Sequence, residues 1–244
     1  MLATLLIQDL VGPRRLYLVD NSRHDVCASA QVGKVLKAMR RTEWHIEHRR
    51  SSASSPSAIK REALNLGDAP YLVLMDNDML FTRGDTLSAL KTVLDEYDVA
   101  AASPIARDLD DDRPMLDEYA AAYDAHPVDD RGVMEGDVAL GICMAMRRDD
   151  LTSALPYWID ELPYLEDQVL GHFLKRGRGY AYLRWHSVLH VGWHESPSYA
   201  FDDGDVVRCL ERRAARESAY YHLLELRRQS KDGAGFSRPI RRRQ

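Results

Sequence analysis

Two carboxylates two residues apart, Asp76 and Asp78, close the segment P-Y-L-V-L-M-D-N-D-M between Pro70 and Met79. The apolar run Tyr71–Met75 ahead of them, introduced by Gly67 and Pro70, has the length and composition of a strand buried on both faces. On a strand, side chains i and i+2 point the same way. The pair can therefore converge on one point, where a hard divalent cation and a phosphate would sit. In open α/β sheets the ligand crevice lies at this end, outside the carboxyl termini of the strands. The Asp-x-Asp pattern alone carries little. With 26 Asp in 244 residues about three such pairs arise by chance, and four occur, at Asp76/Asp78, Asp108/Asp110, Asp110/Asp112 and Asp203/Asp205. Only the first follows an apolar strand, and that setting singles it out.

Other residues with chemical potential lie at comparable places. Asp20 ends the run Leu16–Val19 and opens D-N-S, with Asn21 next to it, a position that also suits a turn or helix cap. Lys60 and Arg61 fall in the first turns of a helix over Ala58–Leu66, which Ser57 is placed to cap. Glu166 and Asp167 open the amphipathic stretch E-D-Q-V-L-G-H-F-L-K-R-G, where two acids favour the helix dipole. His190 lies in S-V-L-H-V-G-W-H after the strand Tyr180–Trp185, with His186 and His194 as neighbours. Trp185 and Trp193 offer flat faces for stacking, although large aromatics beside a sheet usually serve the core.

The elements that must position these groups alternate. A helix with Leu2, Leu5, Leu6 and Leu10 on one face is followed by the break Gly12-Pro13. A strand at Leu16–Val19, a helix at Val26–Arg40 and a short strand at Trp44–His48 come next. After the Tyr71–Met75 strand the pattern gives a helix at Asp85–Tyr97, a strand at Val99–Ser103, a core strand at Val138–Met146 and a helix opened by Asp149-Asp150. Strand and helix in alternation point to α/β architecture with a mostly parallel sheet. The acidic stretch Asp108–Asp130 shows no period and reads as a surface excursion.

Length, composition and charge narrow the class. A chain of 244 residues, 45% hydrophobic and 29% charged, suits one large globular domain. A net charge of −5 gives no reason to expect nucleic acid as a partner. Cys27, Cys143 and Cys209 are odd in number and far apart, so neither a disulfide framework nor a zinc spacing is visible, and a reducing, cytoplasmic setting is expected. No apolar run approaches the roughly 18 residues of a membrane span, and the start lacks the basic region of a signal peptide. Between Arg208 and Arg243, 11 Lys/Arg face four acids. We therefore read 1–200 as the main domain and 201–244 as a basic helical extension, solvated or held electrostatically to an anionic membrane or acceptor.

Taken in order, Asp20, Asp76-x-Asp78, Glu166-Asp167 and His190 resemble the landmarks of the GT-A inverting glycosyltransferases of the large family 2 type. The stretch A-I-K-R-E-A-L-N-L-G-D-A-P-Y-L-V-L-M-D-N-D is especially similar to that family's central segment, as are E-D before a helix with K-R-G and then L-H-V-G-W. The resemblance runs from about Leu2 to Trp193. It implies a GT-A, Rossmann-like sheet flanked by helices and a nucleotide-sugar donor across the strand ends. Asp20 and Asn21 would contact base or ribose. Asp78, with Asp76, would bind Mn²⁺ or Mg²⁺ bridging the diphosphate, His190 would complete that shell, and Lys60 or Arg61 would reach the phosphates. Asp167, with Glu166 as the alternative, would be the general base deprotonating the hydroxyl of a glycan, protein or small-molecule acceptor.

The chain departs from that pattern at its start. The family opens with a strand of the V-S-V-I-I-P-T-Y-N kind, whereas Met1 here falls at the beginning of the first helix. The resemblance then implies an unpaired edge or gap in the sheet, with dimerisation or instability as a consequence. Two other readings stay open: a catalytically weak nucleotide- or glycan-binding remnant of the fold, and a sugar-phosphate nucleotidyltransferase, whose Gly-rich basic loop is not seen.

Overall fold

A computed structural model describes residues 1–53, 55–109, 129–136, 142–162, 166–175, 178–191 and 203–217, together with 220 and 224. In chain order the elements are α1 (Leu2–Leu5), β1 (Arg14–Asp20), a 3-10 turn (Val26–Ala28), α2 (Ala30–Arg41), β2 (Trp44–Arg50), α3 (Pro56–Leu64), β3 (Tyr71–Met75), β4 (Met79–Phe81), α4 (Thr86–Glu96) and β5 (Val99–Asp108). They continue with β6 (Val133–Gly136), β7 (Cys143–Arg147), α5 (Arg148–Ala154), a 3-10 turn (Leu155–Tyr157), α6 (Glu166–Lys175), β8 (Gly179–His190) and α7 (Asp203–Ala214). No helix among the described residues is long and apolar enough to cross a membrane.

The strands form two sheets. β1 and β2 pair in parallel from Arg14 opposite Trp44 to Asp20 opposite Arg50. The larger sheet has the order β3-β7-β5-β8-β4, with β6 also on β8. In it β3, β5 and β8 run parallel, while β4, β6 and β7 run against them. Among the described residues no strand joins β1 to β3. This break separates β1–β2 from the larger sheet among the described residues. It also explains why β3 is not buried on both faces as expected: only Leu74 is buried, because β3 is the last strand of its sheet.

β5 is the central strand, and V-A-A-A-S-P-I-A is buried throughout. The strand continues beyond the expected end at Ser103. Pro104 has no N–H for the ladder, and here the register with β8 jumps from Pro104/Leu183 to Ile105/Ser187. Arg184, Trp185 and His186 are thereby left out of the pairing. The Arg184 N–H donates to the Gly132 carbonyl at 2.9 Å, and Gly132, at φ +75°, lies so close to Trp185 that a Cβ would strike the indole.

Helix ends follow local chemistry. Ser29 caps α2 through Val32 N at 3.3 Å, and Arg40 and Arg41 close it with the charge its dipole favours. The cap of α3 is Ser55, which accepts from Ala58 N at 3.0 Å, with Pro56 in the first turn. The expected cap, Ser57, is instead fully buried and donates to the Ile159 carbonyl at 2.5 Å. At α4 the Asp85 side chain makes no cap; buried Gln8 accepts from Leu87 N at 3.1 Å through its Oε1 and donates to the Arg83 carbonyl at 2.7 Å. The N-terminal segment is thus fastened to the β4–α4 junction. One large cluster joins Leu5, Leu16, Leu36, Met39 and Trp44 to Met79, Leu90, Ile105 and Tyr182, so both sheets share a core. Cys209, Leu210 and Ala214 of α7 pack with Ile159, Leu162 and Val169 in a smaller cluster.

Candidate active site

At the end of β3 the Asp76 N–H donates to the Ile142 carbonyl at 3.0 Å, prolonging the run of bonds to the β7 side. Residues 77 and 78 then form a turn into β4. Strand periodicity therefore stops short of Asp78, and the two carboxylates find different partners. Asp76 Oδ1 lies 2.9 Å from Lys60 Nζ of α3. Asp78 Oδ1 lies 3.3 Å from His190 Nε2.

The second contact is made by sheet pairing. β4 runs antiparallel to the end of β8 with Met79 opposite His190, and the Val191 N–H donates to the Asp78 carbonyl at 2.7 Å. His190 is only 4% exposed, whereas the Asp78 side chain is 41% exposed with Oδ1 itself buried. One carboxylate oxygen thus faces the imidazole and the rest of the group faces outward. Burial pushes the Asp78 carboxyl up, but His190, a backbone N–H and the positive charge of Lys60 outweigh it, and the group stays below its ordinary range.

The same corner holds an acid that the sequence reading passed over. Asp108, the last residue of β5, is buried and in register with His190 on β8, and the Leu109 N–H donates to the His190 carbonyl at 3.1 Å. In the sequence Asp108 belongs to chance Asp-x-Asp pairs, and only the ten-residue length of β5 reveals its place.

Asp20 ends β1 and is 6% exposed. Its Oδ1 accepts from Ser22 N at 2.8 Å; its Oδ2 accepts from Val26 N at 3.2 Å and from Arg50 at 2.5 Å. Burial acts to raise its pKa, yet the Ser22, Val26 and Arg50 hydrogen bonds dominate and hold it at about 2. The carboxylate organises its own turn, the capping arrangement anticipated for D-N-S, while Asn21 is exposed beside it. Arg61 turns away from Asp76 and pairs with Asp160 at 2.7 Å. Glu166 and Asp167 open α6 as anticipated; their side chains, like the residues from 192 to 202 with Trp193 and His194, lie outside the described residues.

Among the described residues, the only group of three or more His, Cys, Asp or Glu whose ligand atoms all lie within 4.8 Å of one another is Asp25, Cys27 and His48, beside Asp20. The signal for it was absent from the sequence, because Cys27 lies in the 3-10 turn after β1 and His48 within β2, and their spacing matches no metal motif.

No family model matches the chain, and no curated protein matches it in sequence. Its fold does match solved structures. S. aureus TarS 1-349 in complex with UDP-GlcNAc superposes with a TM-score of 0.66 at 14% identity, covering 94% of this chain and 68% of that one. The Pyrobaculum calidifontis mannosyltransferase PcManGT with GDP-Man and Mn²⁺ gives 0.54 at 13% identity, covering 84% and 65%. GalNAc-T7 with UDP, GalNAc and Mn²⁺ gives 0.54 at 11%, covering 88% of this chain and 48% of that one. Against TarS 1-349 in a further structure the chain spans 59% of that chain's length. The likeness establishes the fold, a GT-A-like α/β architecture shared with these glycosyltransferases.

Proposed function

We infer that the chain transfers a sugar from a nucleotide-diphosphate donor to an acceptor hydroxyl, with a divalent cation and inversion at the anomeric carbon, as in family 2. The observation that carries this reading is the Asp78–His190 pair at the strand ends, with the Lys60–Asp76 pair alongside. A carboxylate oxygen and an imidazole nitrogen suit Mn²⁺ or Mg²⁺, Mn²⁺ better for the nitrogen. The buried Oδ1 of Asp78, which accepts no well-aligned hydrogen bond among the described residues, is the kind of oxygen a cation satisfies. Structures of the same fold with UDP-GlcNAc, GDP-Man and Mn²⁺ support the donor class.

In this mechanism Asp78 and His190 would hold the cation, with Asp76, now paired with Lys60, as a further oxygen donor. The cation, when bound, neutralises the charge that develops on the departing nucleoside diphosphate. Lys60, now on Asp76, is the side chain able to turn to the phosphates. Asp20 and Asn21 form the turn that receives base or ribose. Asp167, or Glu166, at the start of α6 accepts the acceptor hydroxyl's proton as that oxygen attacks the anomeric carbon. The acceptor is a glycan, a protein or a small molecule.

Single-turnover transfer with Asp167→Asn tests the assignment. Donor binding stays intact and transfer falls by about a hundredfold or more; full transfer by this variant removes Asp167 from the role. The break between β1 and β3 favours a second reading, a binding remnant of the fold without turnover. Donor binding without transfer by the wild-type chain to any acceptor would select it.

A further inference from the structure

The structure holds a cluster of metal-binding groups outside the Asp78–His190 corner. It stands where β1 and β2 end. The turn after β1 is folded by Asp20, and Asp25 then caps the 3-10 turn, its Oδ1 accepting from Cys27 N at 2.9 Å and Ala28 N at 3.3 Å. That cap fixes the Cys27 thiol relative to the Asp25 carboxylate. Parallel pairing sets Leu18 opposite His48 and so brings the imidazole of β2 beneath the same turn. His48 Nε2 lies 3.8 Å from Asp25 Oδ1 and 3.8 Å from Asp20 Oδ2. It is buried and takes no hydrogen bond among the described residues. The sulfur, one carboxylate oxygen and one imidazole nitrogen lie within 4.8 Å of one another.

We propose that Asp25, Cys27 and His48 bind a zinc-class dication, with the neighbouring Asp20 carboxylate or water in the fourth position, and that this ion ties the turn after β1 to β2. A thiolate, an imidazole and a carboxylate form a ligand set for Zn²⁺ and not for a hard oxygen-seeking cation such as Mg²⁺. Ligand atoms on one tetrahedral zinc stand about 3.5 Å apart. The imidazole-to-carboxylate distances of 3.8 Å are already near that, and the sulfur, within 4.8 Å of both other ligand atoms, need close by no more than about an ångström. Binding breaks the Cys27 S–H bond, forms the sulfur–metal bond and releases the proton to solvent. The charge then balances. Two carboxylates and a thiolate against the Arg50 guanidinium leave two negative charges for a dication. A brace at this point has a structural use, since among the described residues β1 and β2 pair only with each other.

The site shares only Asp20 with the donor-binding residues, and Asp25, Cys27 and His48 differ from the Asp78–His190 corner in position and in metal preference, so a test read on Cys27 and His48 fails separately from the donor reading. The test is titration of the full chain with Co²⁺, a spectroscopic substitute for zinc, followed by competition with Zn²⁺. One equivalent should give a near-ultraviolet thiolate-to-cobalt charge-transfer band, which Zn²⁺ abolishes. Cys27→Ser should lose the band, and His48→Gln should weaken Zn²⁺ binding by at least about tenfold, since even groups behind the ligands contribute that much. Asp78→Asn should leave the band unchanged. The variants change half-buried side chains, and circular dichroism checks that they fold. A wild-type chain with no charge-transfer band, or a band that persists in Cys27→Ser, overturns the proposal.

Discussion

Met79 of β4 lies directly opposite His190 of β8, and this single pairing sets the Asp78 carboxylate 3.3 Å from the His190 imidazole. The contact joins two residues far apart in the chain through a strand only three residues long. Its consequence for metal binding can be measured apart from catalysis. His190→Gln keeps the volume of a buried side chain but removes the imidazole ligand. Mn²⁺ affinity, read by electron paramagnetic resonance of free ion, should fall by about tenfold or more. Unchanged affinity in a folded His190→Gln chain would take His190 out of the metal shell.

Lys60 and Asp76 are held together at 2.9 Å, both largely shielded from solvent. If the ammonium moves to the donor diphosphate, Lys60→Met removes a charge-assisted hydrogen bond in the bound complex and a competitor for Asp76 in the free chain. Such bonds carry about 1.5–3 kcal/mol. Donor Kd should therefore rise by about tenfold or more, while Mn²⁺ affinity holds or improves. An unaltered Kd would assign Lys60 to the ion pair alone.

Acid should unfold the chain in two stages. His186 is buried in the stretch of β8 left out of the pairing with β5. Burial lowers its pKa from the ordinary 6.5, with Arg83 acting in the same direction and Asp85 opposing. The folded chain thus prefers the neutral ring, and stability begins to fall as pH drops through the unfolded value. Asp20 is held at about 2 against 3.8 when unfolded, so its contribution is complete above the unfolded value and disappears as pH falls toward 2. That contribution is about 2 kcal/mol. Denaturant titrations at a series of pH values should show both stages, with Asp20→Asn flattening the lower one and His186→Gln the upper. An acid slope identical in wild type and Asp20→Asn would contradict the account.

Much of this was legible because apolar runs speak clearly. Tyr71–Met75 gave the strand that leads to Asp76 within its observed bounds, and Leu16–Val19 and Trp44–His48 located β1 and β2. The Asp78–His190 proximity was expected from likeness to a family, but its cause was not. β4 is too short for periodicity to register, and its partner lies beyond the reach of any local pattern. Asp108 was lost because the strand was expected to stop at Ser103, whereas β5 passes Pro104 by letting three residues of β8 stand out of register. Asp25, Cys27 and His48 meet through the parallel register of β1 and β2 and through a side-chain cap, neither of which spacing encodes.

The central claim is that the Asp78 corner binds a nucleotide-sugar through a divalent cation. Calorimetric titration with UDP-, GDP-, CMP- and dTDP-sugars, with and without Mn²⁺, on wild-type and Asp78→Asn chains tests it most directly. The account predicts saturable binding of one nucleotide class by the wild-type chain, dependent on Mn²⁺ and lost in Asp78→Asn. Binding that needs no metal, or that survives unchanged in Asp78→Asn, would contradict it.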